Sequence, residues 1–412
     1  MFRTYKIKLS HFSHNAKFLI YSELLSATGM TFWGLLFNLY LKSLGFSREE
    51  IGNTLLFGNL AIAFSALPMA FLSNKHRFHR LMGVGQILSL VFLFLSLVFT
   101  EKWEIRAFVF MAFAFMTASK ILVSPFIMEN SSIVERTYVF SLHSVAGYIG
   151  GVLGNLLAGT SAEGVSKFLG LYSADSYRVA ILVGVSLRFM GALSLLSFVK
   201  APKKIERSYN VSLQYFKGLD WNYFTKVLLP ASLIALGAGL IVQFLNLYMK
   251  DVFHASDSYI GIVMSIQSAA IMTATFIAPL IAERLGKVRA VTLFYSLSLP
   301  FMVLLAFTTE AFLGSVGVVV RAALMNMAGP LFSSIIYEYC APGNRSFLNA
   351  LNTIFWALSW ALSAFMYGTV FKGNYTLCFL LASLLYLFST ILFFVFFRDR
   401  ETRFSHSNHV KK

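Results

Sequence analysis

The chain states one pattern twice. Asn38-Leu39-Tyr40-Leu41-Lys42 returns as Asn246-Leu247-Tyr248-Met249-Lys250, then Ile51-Gly52 as Ile260-Gly261, Glu129 as Glu338, Arg136 as Arg345 and Gly159 as Gly368. The returns keep their order and nearly the same offset, and both copies lie in long hydrophobic stretches. Self-similarity of this kind means two like structural units, each solving the same packing problem.

Composition decides what kind of unit this is. Of 412 residues, 57% are apolar and 13% charged, and the mean hydropathy is +0.70. Too little polar surface remains for a water-soluble fold. A bilayer admits only helices and closed barrels, because backbone N–H and C=O groups must be satisfied inside the segment. The apolar runs are continuous, about 20 residues or longer, and lack the alternation of barrel strands. Charged and turn-forming breaks divide them into twelve spans, at residues 18–42, 50–72, 81–100, 105–129, 137–160, 178–199, 224–250, 258–282, 288–308, 311–339, 346–371 and 374–397. The expected fold class is therefore an all-α integral membrane protein. Its twelve transmembrane helices form two parallel-repeat six-helix bundles, residues 1–199 and 224–412, the second ending in a short basic tail. A central cytoplasmic linker, residues 200–223, joins them.

An even number of spans puts both termini on one side. Lys and Arg number 34; 23 of them fall in the terminal segments and the connections on that same side, eight fall on the other side, and three lie inside spans. Positive flanks stay in the cytoplasm, so the termini are expected there, in a plasma (inner) membrane. The formal charge of +16 is mostly this asymmetry; it suits anionic headgroups, and no nucleic-acid partner is expected. The basic N-terminus runs into a span too long for a signal-peptide core and reads as an uncleaved first span. Cys340 and Cys378 are too few and too far apart for a disulfide framework or a metal site. No nucleotide-binding signature and no convergent catalytic cluster appear, so neither an enzyme nor a cofactor is expected.

Two six-helix halves in parallel repeat, cytoplasmic termini and a long central loop resemble the major facilitator superfamily. That family carries Gly-x-x-x-Asp-Arg-x-Gly-Arg between spans two and three of each half. In the second half Pro279-Leu280-Ile281-Ala282-Glu283-Arg284-Leu285-Gly286-Lys287 is similar to it, with Glu for Asp. In the first half the same register gives Ala70-Phe71-Leu72-Ser73-Asn74-Lys75-His76-Arg77-Phe78, where Asn74 replaces the acid and Arg77 the turn glycine. The resemblance implies a secondary transporter that moves a small organic solute by alternating access, coupled to a proton or cation, and working as a monomer. It also implies a charged cytoplasmic gate. The residues in the matching places are Glu283, Arg284, Glu338 and Arg345 in the second half, and Lys75, Arg77, Glu129 and Arg136 in the first.

Charges inside spans cost at least ~2.5 kcal/mol each on insertion scales and so mark lined cavities. Glu23 and Lys120 lie at similar depths, roughly 9 Å and 13 Å inside the cytoplasmic ends of spans one and four, which line the cavity in the family's fold. They are expected to face each other, Glu23 as proton carrier or cation contact and Lys120 as anion contact, or else to form a static pair. Arg321 with Asn326 on span ten is expected to meet substrate or a gating partner. Arg188 on span six is expected in a structural or lipid-headgroup role, and His143 on span five as a helix–helix donor. Gln243, Asn246, Trp356 and Trp360 are polar and aromatic candidates for recognition; the two tryptophans are one turn apart and suit stacking, or plain packing. The row Gly147, Gly150, Gly151, Gly154, Gly159 predicts close backbone contact with a neighbouring helix, and Ser47 with Glu50 has the capping-box pattern that starts span two. The competing readings are a non-transporting receptor or scaffold on the same fold and, within transport, a drug or amphipath exporter against a sugar or carboxylate importer.

Overall fold

The structure is a computed structural model that describes residues 13–75, 78–131, 133–170, 173–197, 219–340 and 344–409. Its helices are α1 (His14–Ser43), α2 (Arg48–Lys75), α3 (Phe78–Val98), α4 (Lys102–Asn130), α5 (Ile133–Leu169), α6 (Ser173–Ser197), α7 (Trp221–Val242), α8 (Leu245–Val252), α9 (Asp257–Leu285), α10 (Lys287–Phe307), α11 (Ala311–Glu338), α12 (Arg345–Phe365) and α13 (Tyr375–His409). A π-helical turn, Met366–Val370, continues α12. Twelve of the helices are long and apolar enough to cross a membrane, as the run lengths predict. The additional short helix, α8, arises because the expected seventh span is broken. α7 stops at Val242, and α8 resumes at Leu245.

Two compact units make up the chain. One holds residues up to Tyr209 together with Ser256–Ser265, and the other holds Asn210–Ala255 with Ile266 onward. The first stretch of α9 thus packs as part of the first unit. There the backbones of Gly159 and Gly261 meet, Asn155 Nδ2 donates to the Met264 carbonyl at 3.3 Å, and Ser265 Oγ donates to the Val152 carbonyl at 2.9 Å. The expected linker is undescribed over residues 198–218.

The repeated string does the same work in each unit. Tyr40 and Tyr248 are both buried; Tyr40 Oη donates to the Leu97 carbonyl at 3.1 Å and Tyr248 Oη to the Leu305 carbonyl at 2.7 Å. The acceptors stand at the ends of α3 and α10, so the duplicated tyrosine ties the outgoing end of spans one and seven to the end of spans three and nine. A buried hydroxyl and an end-of-helix carbonyl satisfy each other at both places.

Local sequence sets the element ends. Ser47 N donates to Glu50 Oε2 at 2.8 Å while Glu50 N donates to Ser47 Oγ at 3.2 Å, the reciprocal pair of a capping box. Lys102 Nζ stands 2.5 Å from the same Glu50 carboxylate. Asp220 Oδ1 accepts from Tyr223 N to start α7. Between α9 and α10, Gly286 has φ +87°, a left-handed conformation that disfavours any side chain, which is why glycine stands there.

Candidate functional site

α1 is gripped on two sides by helices stripped to glycine. Against α5, a Cβ added at Gly150 would lie 2.7 Å from Ala27 Cβ and 2.9 Å from the Leu24 carbonyl, and one at Gly154 would lie 2.5 Å from the Thr28 carbonyl. Against α6, a Cβ at Gly29 would lie 2.2 Å from the Gly184 carbonyl, and one at Gly191 would lie 2.6 Å from Ser26 Oγ. Ser22 Oγ donates to the Gly191 carbonyl at 2.8 Å across the same seam. Backbones at this separation need small residues on the shared face, so the predicted role of the span-five glycines holds, and α6 repeats the device.

These contacts leave a cavity of about 630 Å³ inside the first unit, between α1, α3, α4, α5 and α6. Its charged wall is Glu23, Lys120, His143 and Arg188; Gln86 adds an amide, and Met30, Met82 and Met116 line the apolar side. A core of Ala16, Leu19, Met82, Leu122, Phe126, Ile127, Val139 and Leu195 packs against it, with Leu19, Met82 and Leu195 common to both.

The carboxylate partner differs from the expected one. Glu23 Oε2 stands 3.4 Å from His143 Nε2, without the alignment of a hydrogen bond, and Glu23 makes no ion pair with Lys120. His143 and Gly147 are one turn apart on α5, hence on one face. Gly147 opens the space that Glu23 turns into; a Cβ there would sit 3.2 Å from Glu23 Oε1. Equal depth put Glu23 and Lys120 on the same cavity, but the missing side chain at Gly147 decides which wall the carboxylate meets. His143, expected as an ordinary helix–helix donor, is instead its neighbour.

Of the two roles expected for Arg188, its surroundings fit the structural one. The residue is 5% exposed, its Nη1 donates toward Met30 Sδ at 2.8 Å, and its Nε has no hydrogen-bond partner among the described residues. Gly184, Arg188 and Gly191 fall on one face of α6 by their spacing, and the two glycines meet α1. The arginine between them therefore belongs to the seam and not to lipid, a signal available in the sequence. Lys120 is open to the cavity and close enough to Arg188 for the two cations to repel, whereas Glu23 attracts both Arg188 and His143.

In the second unit, Arg321 and Asn326 do not form one site. Arg321 is 3% exposed, with the Tyr386 hydroxyl as its electrostatic neighbour and no hydrogen-bond partner for Nε among the described residues. Asn326 is exposed and donates to the Ala322 carbonyl of its own helix at 2.8 Å. Five residues turn a helix by about 140° beyond a full circle, so the two side chains point apart. Gln243 serves the break in span seven, donating to the carbonyls of Gly239 at 3.0 Å and Trp360 at 3.1 Å. Asn246 is buried beside it and accepts from Leu247 N. Trp356 and Trp360 form the expected aromatic face, with ring centroids 6.4 Å apart, and the buried Trp360 Nε1 has no partner among the described residues.

The second-unit gate residues are arranged differently from the expectation. Lys287, the last residue of the signature, pairs with Glu338 and donates to Ser334 Oγ at 2.9 Å, and Ser334 Oγ donates to Glu338 Oε1 at 2.9 Å. Burial pushes the Glu338 carboxyl up, but hydrogen bonds from Lys287 and Ser334 and the Lys287 charge outweigh it, so the group titrates below its ordinary value. Arg345 Nε instead reaches the Cys340 carbonyl at 3.3 Å, and Glu283 and Arg284 stay exposed. The Glu338 partner is thus Lys287, which the acid-to-base spacing did not single out. The first-half side chains of Lys75, Arg77, Glu129 and Arg136 lie outside the described residues.

Twelve helices long and apolar enough to cross a bilayer, with ionisable side chains gathered around a cavity in the first unit, define a polytopic membrane protein. Residues 227–412 match the family model described as Major Facilitator Superfamily. Among solved structures, the nucleoside transporter NupG is 14% identical over 93% of this chain and 99% of its own, with a TM-score of 0.75. A D-xylose-proton symporter is 13% identical over 92% and 96%, with a TM-score of 0.74. A bacterial homolog to the human lysosomal transporter Spinster is 12% identical over 92% and 96%, with a TM-score of 0.73. At such identities the likeness is one of fold. No curated protein matches the chain by sequence.

Proposed function

We propose that the protein is a secondary active transporter that moves a small organic solute by alternating access, with a proton as coupling ion and the first-unit cavity as part of the solute path. The observation that carries this reading is the placement of Glu23, His143, Lys120 and Arg188 around one cavity within membrane-spanning helices. Ionisable groups are retained at such depth where water or solute reaches them. A carboxylate and an imidazole 3.4 Å apart are two proton-accepting groups in one place, and the charge they carry together sets how strongly they attract Arg188. A solute that engages the cations changes the pair's proton affinity, and the reverse holds by linkage. That one structure of the same fold is described as a D-xylose-proton symporter supports the coupling.

The positive-flank count supports cytoplasmic termini in an inner membrane, and the Lys287–Ser334–Glu338 cluster is the proposed acid–base group of the second-unit gate. The test is solute flux into proteoliposomes with and without an imposed pH gradient. Flux that follows the gradient, and a Glu23→Gln variant that transports without responding to it, are the expected results. Full activity with unchanged pH dependence in Glu23→Gln removes the proton role. Absence of flux for every solute that binds replaces the transporter with a receptor or scaffold.

A further inference from the structure

The cavity wall has more cationic donors than acceptors to meet them. A guanidinium offers five N–H donors and an ammonium three. Arg188 directs Nη1 toward a thioether, which is a weak acceptor, and its Nε is buried without a partner among the described residues. Lys120 opens onto the same cavity and makes no ion pair with a described residue; the charge that acts on it is the repelling Arg188. The one carboxylate on the wall, Glu23, is turned toward α5, where it meets His143 and the space left by Gly147. Two cationic side chains on different helices therefore share the pocket with one acid, which attracts Arg188 but turns its carboxylate toward His143. An oxyanion entering between them supplies acceptors to both and removes their mutual repulsion, the arrangement in which charge-assisted hydrogen bonds are strongest.

We propose that Lys120 and Arg188 form a subsite for the oxyanion of an organic solute, a carboxylate or phosphate-type group, while Met30, Met82 and Met116 take its apolar body. Unbranched thioethers adapt to irregular shapes, so this subsite fixes the charge of the solute more tightly than its outline. The inference rests on the transporter reading for its solute and names that solute's chemical class.

The experiment uses the full chain in detergent, with benzoate, succinate and phenyl phosphate as probes beside their uncharged counterparts benzamide, succinamide and phenol. Thermal stabilisation by at least one anion and by none of the counterparts is expected. Lys120→Gln weakens that anion's apparent affinity by roughly tenfold to a hundredfold, the loss expected for one hydrogen bond to a charged group, and Lys120→Arg restores it. Arg188 is buried, so Arg188→Lys is read only where its unliganded melting matches the parent; the Lys120 variants decide the outcome. Equal response to anions and counterparts, or anion binding unchanged in Lys120→Gln, overturns the proposal. A parallel arm compares nanodiscs of phosphatidylglycerol with phosphatidylcholine. Lys120-dependent stabilisation by the anionic lipid, with none by the soluble anions, assigns the cations to a headgroup and overturns the solute subsite. Lys120-dependent anion binding without flux supports the subsite and removes the transporter reading. Flux of a neutral or cationic solute that is undisturbed in Lys120→Gln removes the subsite and leaves the transporter.

Discussion

His143 Nε2 lies 3.4 Å from Glu23 Oε2, and the position one turn along α5 from the histidine is a glycine whose missing Cβ makes room for that carboxylate. Gly147→Ala puts a methyl 3.2 Å from Glu23 Oε1, a separation the flexible carboxylate relieves by turning away. The expected outcome is a near-parental melting temperature and a shifted pH profile of flux. An unchanged profile together with lower stability would mean that Gly147 serves packing alone.

Gly154 gives the contrasting result. Its added Cβ would lie 2.5 Å from the Thr28 carbonyl and 2.2 Å from Thr31 Oγ1, and backbone cannot swing aside. Gly154→Val is expected to lower stability by about 1–3 kcal/mol, the usual range for overpacking, measured as the thermal or denaturant midpoint in detergent.

Tyr40→Phe and Tyr248→Phe each remove one buried hydroxyl from a helix-end carbonyl, Leu97 in one unit and Leu305 in the other. Each lost carbonyl bond is expected to cost about 0.5–1.5 kcal/mol, with the Tyr40 variant losing in addition the bond its hydroxyl accepts from Arg178 Nη2 at 3.3 Å. A midpoint lower for Tyr248→Phe than for Tyr40→Phe would show that the duplicated bond no longer has the same weight in both units.

Glu338 makes stability depend on acid. Because its carboxyl titrates below the ordinary value when folded, the folded protein binds fewer protons than the unfolded chain between the two pKa values. The contribution is present at neutral pH and is lost as pH falls through the lowered value. Lys287→Met removes the main partner, so the acid limb of a melting-temperature profile is expected to flatten relative to the parent. The pair is about half exposed, and screening keeps the effect small.

Arg321→Met tests a cation without a visible task. Its Nε is buried with no acceptor among the described residues, and replacing such a charge by an apolar side chain of similar length is often neutral or stabilising. The melting temperature is expected to hold or rise. A large fall would reveal a partner that Tyr386 alone does not represent.

The helices were legible because run length gives them, and the repeat was legible because its tyrosines make matching bonds, Tyr40 to Leu97 and Tyr248 to Leu305. The membership of the cavity was legible only in part. Glu23 and Lys120 announce themselves as charges at matching depth, but depth along a helix says nothing about azimuth, and the glycine at position 147 turns Glu23 toward His143. For Arg188 the sequence leaves a structural and a headgroup role open, and its flanking glycines, which put it on the packed face, favour the structural one. Gln243 looked like a recognition group because polar side chains in spans usually are; a break in its own helix had the prior claim. Lys287 was hidden at the edge of a motif whose better-known acid and arginine drew attention instead.

The glycine seams on either side of α1 also divide the cavity by mechanical character. Three backbones in contact along α5, α1 and α6 leave no slack, so the wall that carries Glu23, His143 and Arg188 holds the backbone positions of those residues at fixed spacing. The opposite wall, on α3 and α4, faces the cavity with Met82, Met116 and the long stem of Lys120. Those side chains change length and direction by rotation about single bonds. Fit to differently shaped solutes is therefore assigned to Met82 and Met116, beside which Lys120 brings its charge on a stem that can follow the solute, and substitutions that broaden the range of accepted shapes belong at those two methionines.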